Sequence, residues 1–142
     1  MVCQSSSYTV TQKVSWLVLA ATAVCAGCSG AGGRFIDVTT KEQFQTMVLE
    51  SPRPVLVEFY RGGCMGCAMA NPKLESISET YSDRARFVTV SREVRAVRQK
   101  YAISYYPTVI VFRGGRPTGR AEGPKSRDEY VKMINNALSA PK

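Results

Sequence analysis

The sequence predicts one α/β domain, a three-layer α/β/α sandwich in which helices cover both faces of a central mixed sheet. Apolar runs of strand length alternate along the chain with amphipathic runs of helix length, and this alternation is typical of sheets with helices on both sides. The 142 residues suffice for one domain with its own core. The expected order of elements is α-β-α-β-α-β-β-α.

Each predicted element has a local signal. Thr40-Lys-Glu-Gln43 resembles a helix-capping box, Gly114-Gly115 marks a hairpin turn, and Ser126 can cap the last helix. Pro72 falls inside the long second helix and should kink it. The predicted helices cover about 40–50, 64–81, 92–101 and a segment after Ser126, and the predicted strands cover 55–60, 87–90, 108–112 and 118–122.

Composition excludes several functions. The chain has no histidine, which removes Ser-His and Cys-His catalytic triads. Its formal charge of +8 could support binding to nucleic acid, anionic lipid or acidic partners. No nucleic-acid-binding motif accompanies that charge, so we expect a solvated basic surface and no nucleic-acid partner.

Residues 1–27 have the features of a lipoprotein-type signal peptide. Lys13 precedes Val14–Val24, an apolar run of signal length that is too short to cross a bilayer comfortably. The small residues before Cys28 resemble the bacterial lipobox, in which that cysteine is lipidated and becomes the new N-terminus. Cys25 occupies the position where lipoboxes usually carry leucine. We therefore expect residues 28–36 to form a lipid-anchored, flexible tether and residues 37–142 to form the domain.

Other interpretations of this segment stay open. The protein could be secreted without an anchor, or the apolar run could be a buried N-terminal helix with a chance cysteine at position 28. A start at Val10 would shorten the signal and leave the mature chain unchanged.

The pair Cys64-Met-Gly-Cys67 carries the predicted chemistry. Two cysteines three residues apart at a helix start can close a disulfide, and the helix N-terminus stabilises a thiolate on the first. Cys64 would then attack a disulfide and Cys67 would resolve the product. A zinc site needs four ligands, and the chain outside its leader offers two thiols and no histidine, so we expect no metal. An inert cysteine pair is the remaining alternative.

The surrounding residues resemble the thioredoxin family over roughly residues 37–139. Val57-Glu-Phe-Tyr60 matches the strand before the redox site, and Pro72 lies where the family has a helix-kinking proline. Tyr106-Pro107-Thr108 matches its cis-proline loop. Together with the CxxC pair, these motifs predict a thioredoxin-like fold and a thiol–disulfide oxidoreductase.

The resemblance implies further roles. Pro107 would be cis, and the backbone of its neighbour Tyr106 would pair with a substrate chain. Glu58 would be the buried acid that exchanges a proton with Cys67. The alternatives are an ordinary turn proline at 107 and a surface glutamate on an edge strand at 58.

The sequence also departs from the family pattern. Gly63 replaces the tryptophan before the first cysteine, and Met65-Gly66 replaces the usual Gly-Pro. The lysine that often neighbours the buried acid is replaced by Phe87 or Val88, depending on alignment. Arg61 could supply part of the missing positive field or could be an ordinary exposed arginine. These changes concern substrate choice and redox potential.

The expected function is reduction of protein disulfides in the bacterial cell envelope, by a monomer without a bound cofactor. A membrane thiol–disulfide electron donor would have to re-reduce the protein, because compartments outside the cytoplasm tend to oxidise thiols. The alternatives are an oxidase or isomerase on the same fold, and a binding module whose cysteines are structural.

Overall fold

A buried strand at the centre of a five-stranded sheet positions the cysteine pair. The computed structural model describes residues 35–141. Its strands are β1 (Phe35–Val38), β2 (Val55–Tyr60), β3 (Arg86–Ser91), β4 (Thr108–Arg113) and β5 (Arg116–Glu122). Its helices are α1 (Lys41–Phe44, continued by a π-helical turn over Gln45–Leu49), α2 (Met65–Tyr81), α3 (Arg95–Lys100) and α4 (Arg127–Ser139).

The sheet is mixed, as predicted. Its spatial order is β1-β3-β2-β4-β5. β1, β3 and β2 run parallel, whereas β4 is antiparallel to β2 and β5 is antiparallel to β4. β2 is therefore hydrogen-bonded on both edges, and every residue from Val55 to Phe59 is buried.

Two apolar clusters make the three layers. Because side chains alternate along a strand, Val55, Val57 and Phe59 of β2 belong to one cluster and Leu56 belongs to the other. The first cluster includes residues of α1 and α3, and the second includes residues of α2 and α4. Position 58 alternates with Val57 and Phe59, so the Glu58 side chain lies on the α2 side of the sheet. The three-layer prediction is confirmed.

Strand β1 was not predicted, and it corrects the boundary between tether and domain. The tether was expected to extend to residue 36, but Phe35 and Ile36 already pair with Phe87 and Val88 of β3. β1 has four residues and lies at the sheet edge, so its sequence lacks the long alternation that marks a strand. The predicted signal at 1–27 and the predicted lipidation site Cys28 lie outside the described residues.

Helix α3 begins at Arg95 rather than at Arg92. The backbone N–H groups of Glu93 and Val94 donate to the hydroxyl and carbonyl oxygens of Ser91. These residues form a turn at the end of β3, and apolar periodicity alone could not separate that turn from the helix. Within residues 35–141, no helix combines the length and apolar character that crossing a bilayer requires.

Candidate active site

Cys64 and Cys67 lie where β2 passes into α2. The connecting turn contains Gly63 with a φ of +67°, a backbone conformation that glycine adopts without steric cost. The cysteines form a disulfide with their Cα atoms 5.3 Å apart. Cys64 is the N-cap of α2, and its Sγ accepts a hydrogen bond from the Cys67 backbone N–H at 3.2 Å. In the reduced protein the same N–H and the helix dipole stabilise a Cys64 thiolate.

The two sulfurs differ in accessibility. Cys64 is half-buried, whereas Cys67 is 6% exposed. A disulfide approaching from solvent therefore reaches Cys64 first. This difference fits Cys64 as the attacking thiol and Cys67 as the resolving thiol.

The loop before β4 packs directly on the cysteine turn. The Tyr106–Pro107 peptide bond is cis. A Cβ atom at Gly66 would lie 3.0 Å from Pro107 Cδ and 3.4 Å from the Tyr106 carbonyl oxygen, a tighter approach than nine in ten real Cβ contacts. The Pro107 carbonyl oxygen accepts a hydrogen bond from the Gly123 N–H at 2.8 Å, which ties the loop to the end of β5. Glycine at position 66 thus lets the loop and the redox turn touch.

Glu58 is buried beneath the same turn. It is 4% exposed and belongs to a central strand, which excludes the alternative of a surface glutamate on an edge strand. Burial, followed by repulsion from Glu75, raises the pKa of Glu58 from its ordinary value of 4.5 to about 7. Glu58, Cys64 and Cys67 line one cavity. The carboxyl can therefore gain or lose a proton near neutral pH beside the redox pair.

Two neighbours of Glu58 were not anticipated correctly. The β3 residue in register with Glu58 is Thr89, not Phe87 or Val88, and Thr89 lines the cavity. The sequence patterns do not single out Asn71 of α2, yet its side-chain amide, with the nitrogen assigned to face the Cys67 carbonyl oxygen, lies 3.1 Å from Glu58 Oε1. Asn71 follows Cys67 by four residues, which is the spacing of neighbours on one helix face and could have revealed it.

Exposed apolar side chains surround the redox pair. Met65 is 78% exposed, Met69 is 56% exposed and Tyr105 is 64% exposed. The first two lie on the first turns of α2, and Tyr105 belongs to the loop that packs on Gly66. Large apolar side chains are costly to leave in water, so their concentration here indicates a surface that meets a partner.

The described residues offer no set of side chains that could bind a metal ion. Among residues 35–141, no three His, Cys, Asp or Glu side chains come together as a metal site requires.

Comparison with known families agrees with this geometry. The Thioredoxin family model matches residues 35–136, which is well over half of the chain. The chain belongs to the thioredoxin family. Cys64 and Cys67 lie at disulfide distance within the matched thioredoxin domain, so the chain is a thiol–disulfide oxidoreductase.

Several thioredoxins resemble this thioredoxin-family chain. Thioredoxin Y, chloroplastic, of Oryza sativa subsp. japonica is 30% identical over 131 residues, covering 89% of this chain and 78% of that protein. Thioredoxin C-2 of Corynebacterium nephridii is 35% identical over 103 residues, covering 70% of this chain and 94% of that protein. The match to Thioredoxin Y1, chloroplastic, of Arabidopsis thaliana, at 32% identity, spans 58% of that protein's length.

The raised pKa of Glu58 predicts a pH-dependent stability of this thioredoxin-family domain. The unfolded chain loses the Glu58 proton above about pH 4.5, whereas the folded chain retains it until about pH 7. The folded state binds more protons in this window, so the contribution of Glu58 to the free energy of unfolding falls as pH rises. Glu58→Gln lacks this titration. Its free energy of unfolding, relative to that of wild type, should therefore increase by about 3 kcal/mol between pH 4 and pH 8.

Urea unfolding at several pH values measures this gain. Glu79→Gln, at an exposed position of helix α2, is the control and should show no comparable gain. A constant difference between Glu58→Gln and wild type across this pH range would contradict the raised pKa.

Proposed function

We propose that this protein is a reductase of protein disulfides in the bacterial cell envelope. One observation supports the proposal most: an accessible sulfur at a helix N-terminus lies above a buried sulfur, and a carboxyl with a pKa of about 7 lines the same cavity. This arrangement supplies an attacking thiolate, a resolving thiol and a proton acceptor without a cofactor.

The proposed reaction transfers two electrons to the substrate. The Cys64 thiolate attacks a substrate disulfide, forming a mixed disulfide and releasing the first substrate thiolate. Cys67 then gives its proton to Glu58 and attacks Cys64 Sγ. The bond between Cys64 and the substrate breaks, the Cys64–Cys67 disulfide forms, and the second substrate sulfur leaves as a thiolate that takes up a proton.

Protein substrates suit the surface around the sulfurs. Within residues 35–141, neither backbone polar group of Tyr106 forms a hydrogen bond with the rest of the domain. An extended substrate segment can satisfy these groups by pairing as a short strand beside Pro107. Met65, Met69 and Tyr105 supply apolar contact area around that segment. Flexible methionines adapt to partners of different shape.

The residues between the cysteines favour reduction over oxidation. A better-stabilised Cys64 thiolate makes the disulfide more oxidising. Met65 and Gly66 add no positive charge, and Gly66 contributes a backbone N–H where the family's usual proline has none. Arg61 is exposed, and solvent weakens its field. The result is a Cys64–Cys67 disulfide slightly more oxidising than that of a typical thioredoxin.

The location in the envelope rests on the sequence of residues 1–28. The apolar run after Lys13 and the small residues before Cys28 support export and lipidation. A reductase in an oxidising compartment must be re-reduced, which calls for a membrane thiol–disulfide electron donor. Anchoring at Cys28 would keep the domain close to such a donor.

The two cysteines should behave differently when substituted. Cys64→Ser should abolish reduction of insulin disulfides, because no attacking thiolate remains. Cys67→Ser should instead accumulate mixed disulfides through Cys64, because nothing resolves them. Nonreducing electrophoresis with mass spectrometry of the bands measures both outcomes, and Cys64→Ser/Cys67→Ser serves as the control. Equal trapping by the two single variants would refute the assigned roles.

The reduction potential should separate a reductase from an oxidase. We expect a value between the about −270 mV of thioredoxin and the about −120 mV of strong oxidants, and closer to the former. Equilibration with glutathione redox buffers, followed by thiol quantification, provides the value. A potential above about −150 mV would identify an oxidase instead.

Anchoring should depend on one cysteine. In a bacterial host, the wild-type chain should fractionate with membranes and incorporate labelled fatty acid, and Cys28→Ser should lose the label. Cys3→Ser, which lies outside the lipobox, is the control and should retain it. Recovery of the wild-type chain with an unmodified Cys28 and an intact leader would refute both cleavage and lipidation.

A further inference from the structure

One face of helix α2 is directed at Glu58. Cys67, Asn71 and Glu75 follow one another at intervals of four residues, the spacing that places side chains on the same helix face. Cys67 and Asn71 line one cavity together with Glu58. Asn71 and Glu75 line a second cavity, which Glu58 also borders. We infer that Asn71 is a positioning residue that holds the Glu58 carboxylate beside Cys67 and favours its ionised form. The inference rests on the proposed reductase mechanism.

Asn71 makes two hydrogen bonds that link the acid to the resolving cysteine. Its amide nitrogen donates to the Cys67 carbonyl oxygen at 2.7 Å and to Glu58 Oε1 at 3.1 Å. The opposite orientation of the amide would place its oxygen against two other acceptors, so the hydrogen-bond partners decide the orientation. An amide NH₂ group has two hydrogens, one for each partner. The bond to Cys67 thus fixes the donor that reaches Glu58.

The hydrogen bond from Asn71 opposes the other influences on Glu58. Burial and the charge of Glu75 both favour the neutral carboxyl. Tyr60 on β2 and Tyr130 on α4 interact with Glu58 as further acidic groups, and burial is the main cause that raises the pKa of each. A donor to the carboxylate stabilises the charged form, so losing it should raise the pKa of Glu58 further.

The remaining neighbours do not replace this donor. Thr89 of β3 is uncharged, and its hydroxyl donates to Asp37 of β1 at 3.0 Å. Arg61 lines one of the cavities but forms neither a hydrogen bond nor an ion pair with Glu58 in the described part of the chain. Asn71 is therefore the group in the described part of the chain whose hydrogen bond reaches the carboxylate directly.

Asn71 acts at the resolution step. At this point the Cys67 thiol loses its proton to the Glu58 carboxylate, and the Cys67 sulfur attacks Cys64. Proton transfer requires that Glu58 be ionised when the mixed disulfide forms. Without Asn71 a smaller fraction of molecules carries the ionised carboxylate at pH 7, so resolution should slow near neutral pH and recover at higher pH.

A two-phase reaction isolates this step. The reduced protein is mixed with 5,5′-dithiobis(2-nitrobenzoate), and release of the coloured thiolate is followed by stopped flow. The first release reports attack by Cys64 and depends on reagent concentration. The second release reports attack by Cys67 on the mixed disulfide, and its rate does not depend on reagent concentration. The rate of the second phase is measured from pH 5.5 to 9.

Asn71→Ala should move the midpoint of the second-phase profile upward by about one pH unit, since a hydrogen bond to a charged group has this magnitude. Asn71→Asp adds a like charge and should move it at least as far. Asn135→Ala, an exposed asparagine of α4, is the control and should leave the profile unchanged. Alanine favours helices more than asparagine does, so Asn71→Ala should fold.

Glu58→Gln in the same assay separates the two proposals. If Glu58→Gln alters the second-phase profile and Asn71→Ala leaves the wild-type midpoint in place, the role of Asn71 is refuted and the proposed mechanism stands. If Glu58→Gln also retains the wild-type profile, Glu58 is not the proton acceptor and both are refuted. An upward shift for Asn71→Ala that is absent from Asn135→Ala supports the inference.

Discussion

The burial of Glu58 is the constraint on which the rest of the site depends. Its strand is hydrogen-bonded on both edges, and α2 covers the face on which its side chain lies, so water solvates an ionised carboxylate there poorly. The folded state consequently keeps the proton to about pH 7 and is less stable at higher pH than an uncharged side chain would allow. The same burial gives the carboxyl a pKa suited to exchanging a proton with a thiol at neutral pH, as the proposed mechanism requires.

The fold brings the reacting groups together through short connections. Five residues separate Glu58 from Cys64, and they comprise the end of β2 and one turn. α2 then places Cys67 and Asn71 over the acid at successive turns. The cis-proline loop comes from a distant part of the chain, yet the glycine at position 66 lets it lie directly against the cysteine turn. The sheet order thus determines which backbone lies beside the cysteine turn.

Sequence patterns predicted the features that depend on local spacing. The cysteine pair at a helix start, the buried strand 55–60 and the cis-proline motif all have short, specific signatures. Sequence patterns did not predict the features that depend on sheet register. Thr89 is the neighbour of Glu58 only because of how β3 pairs with β2. Strand β1 is too short to show periodicity, and its pairing with β3 decides its structure. The spacing of Asn71 from Cys67 places both on one face of α2, and the packing of α2 over Glu58 shows that this face meets the acid.

Titration of the Glu58 carboxyl is the most direct test of the account. The side-chain carboxyl carbon, labelled with ¹³C and assigned by comparison with Glu58→Gln, can be followed by NMR from pH 3 to 9 in the oxidised protein. The account predicts a midpoint near the pKa of about 7 that burial imposes. A midpoint near the ordinary value of 4.5 would show that the carboxylate is solvated and would contradict the account.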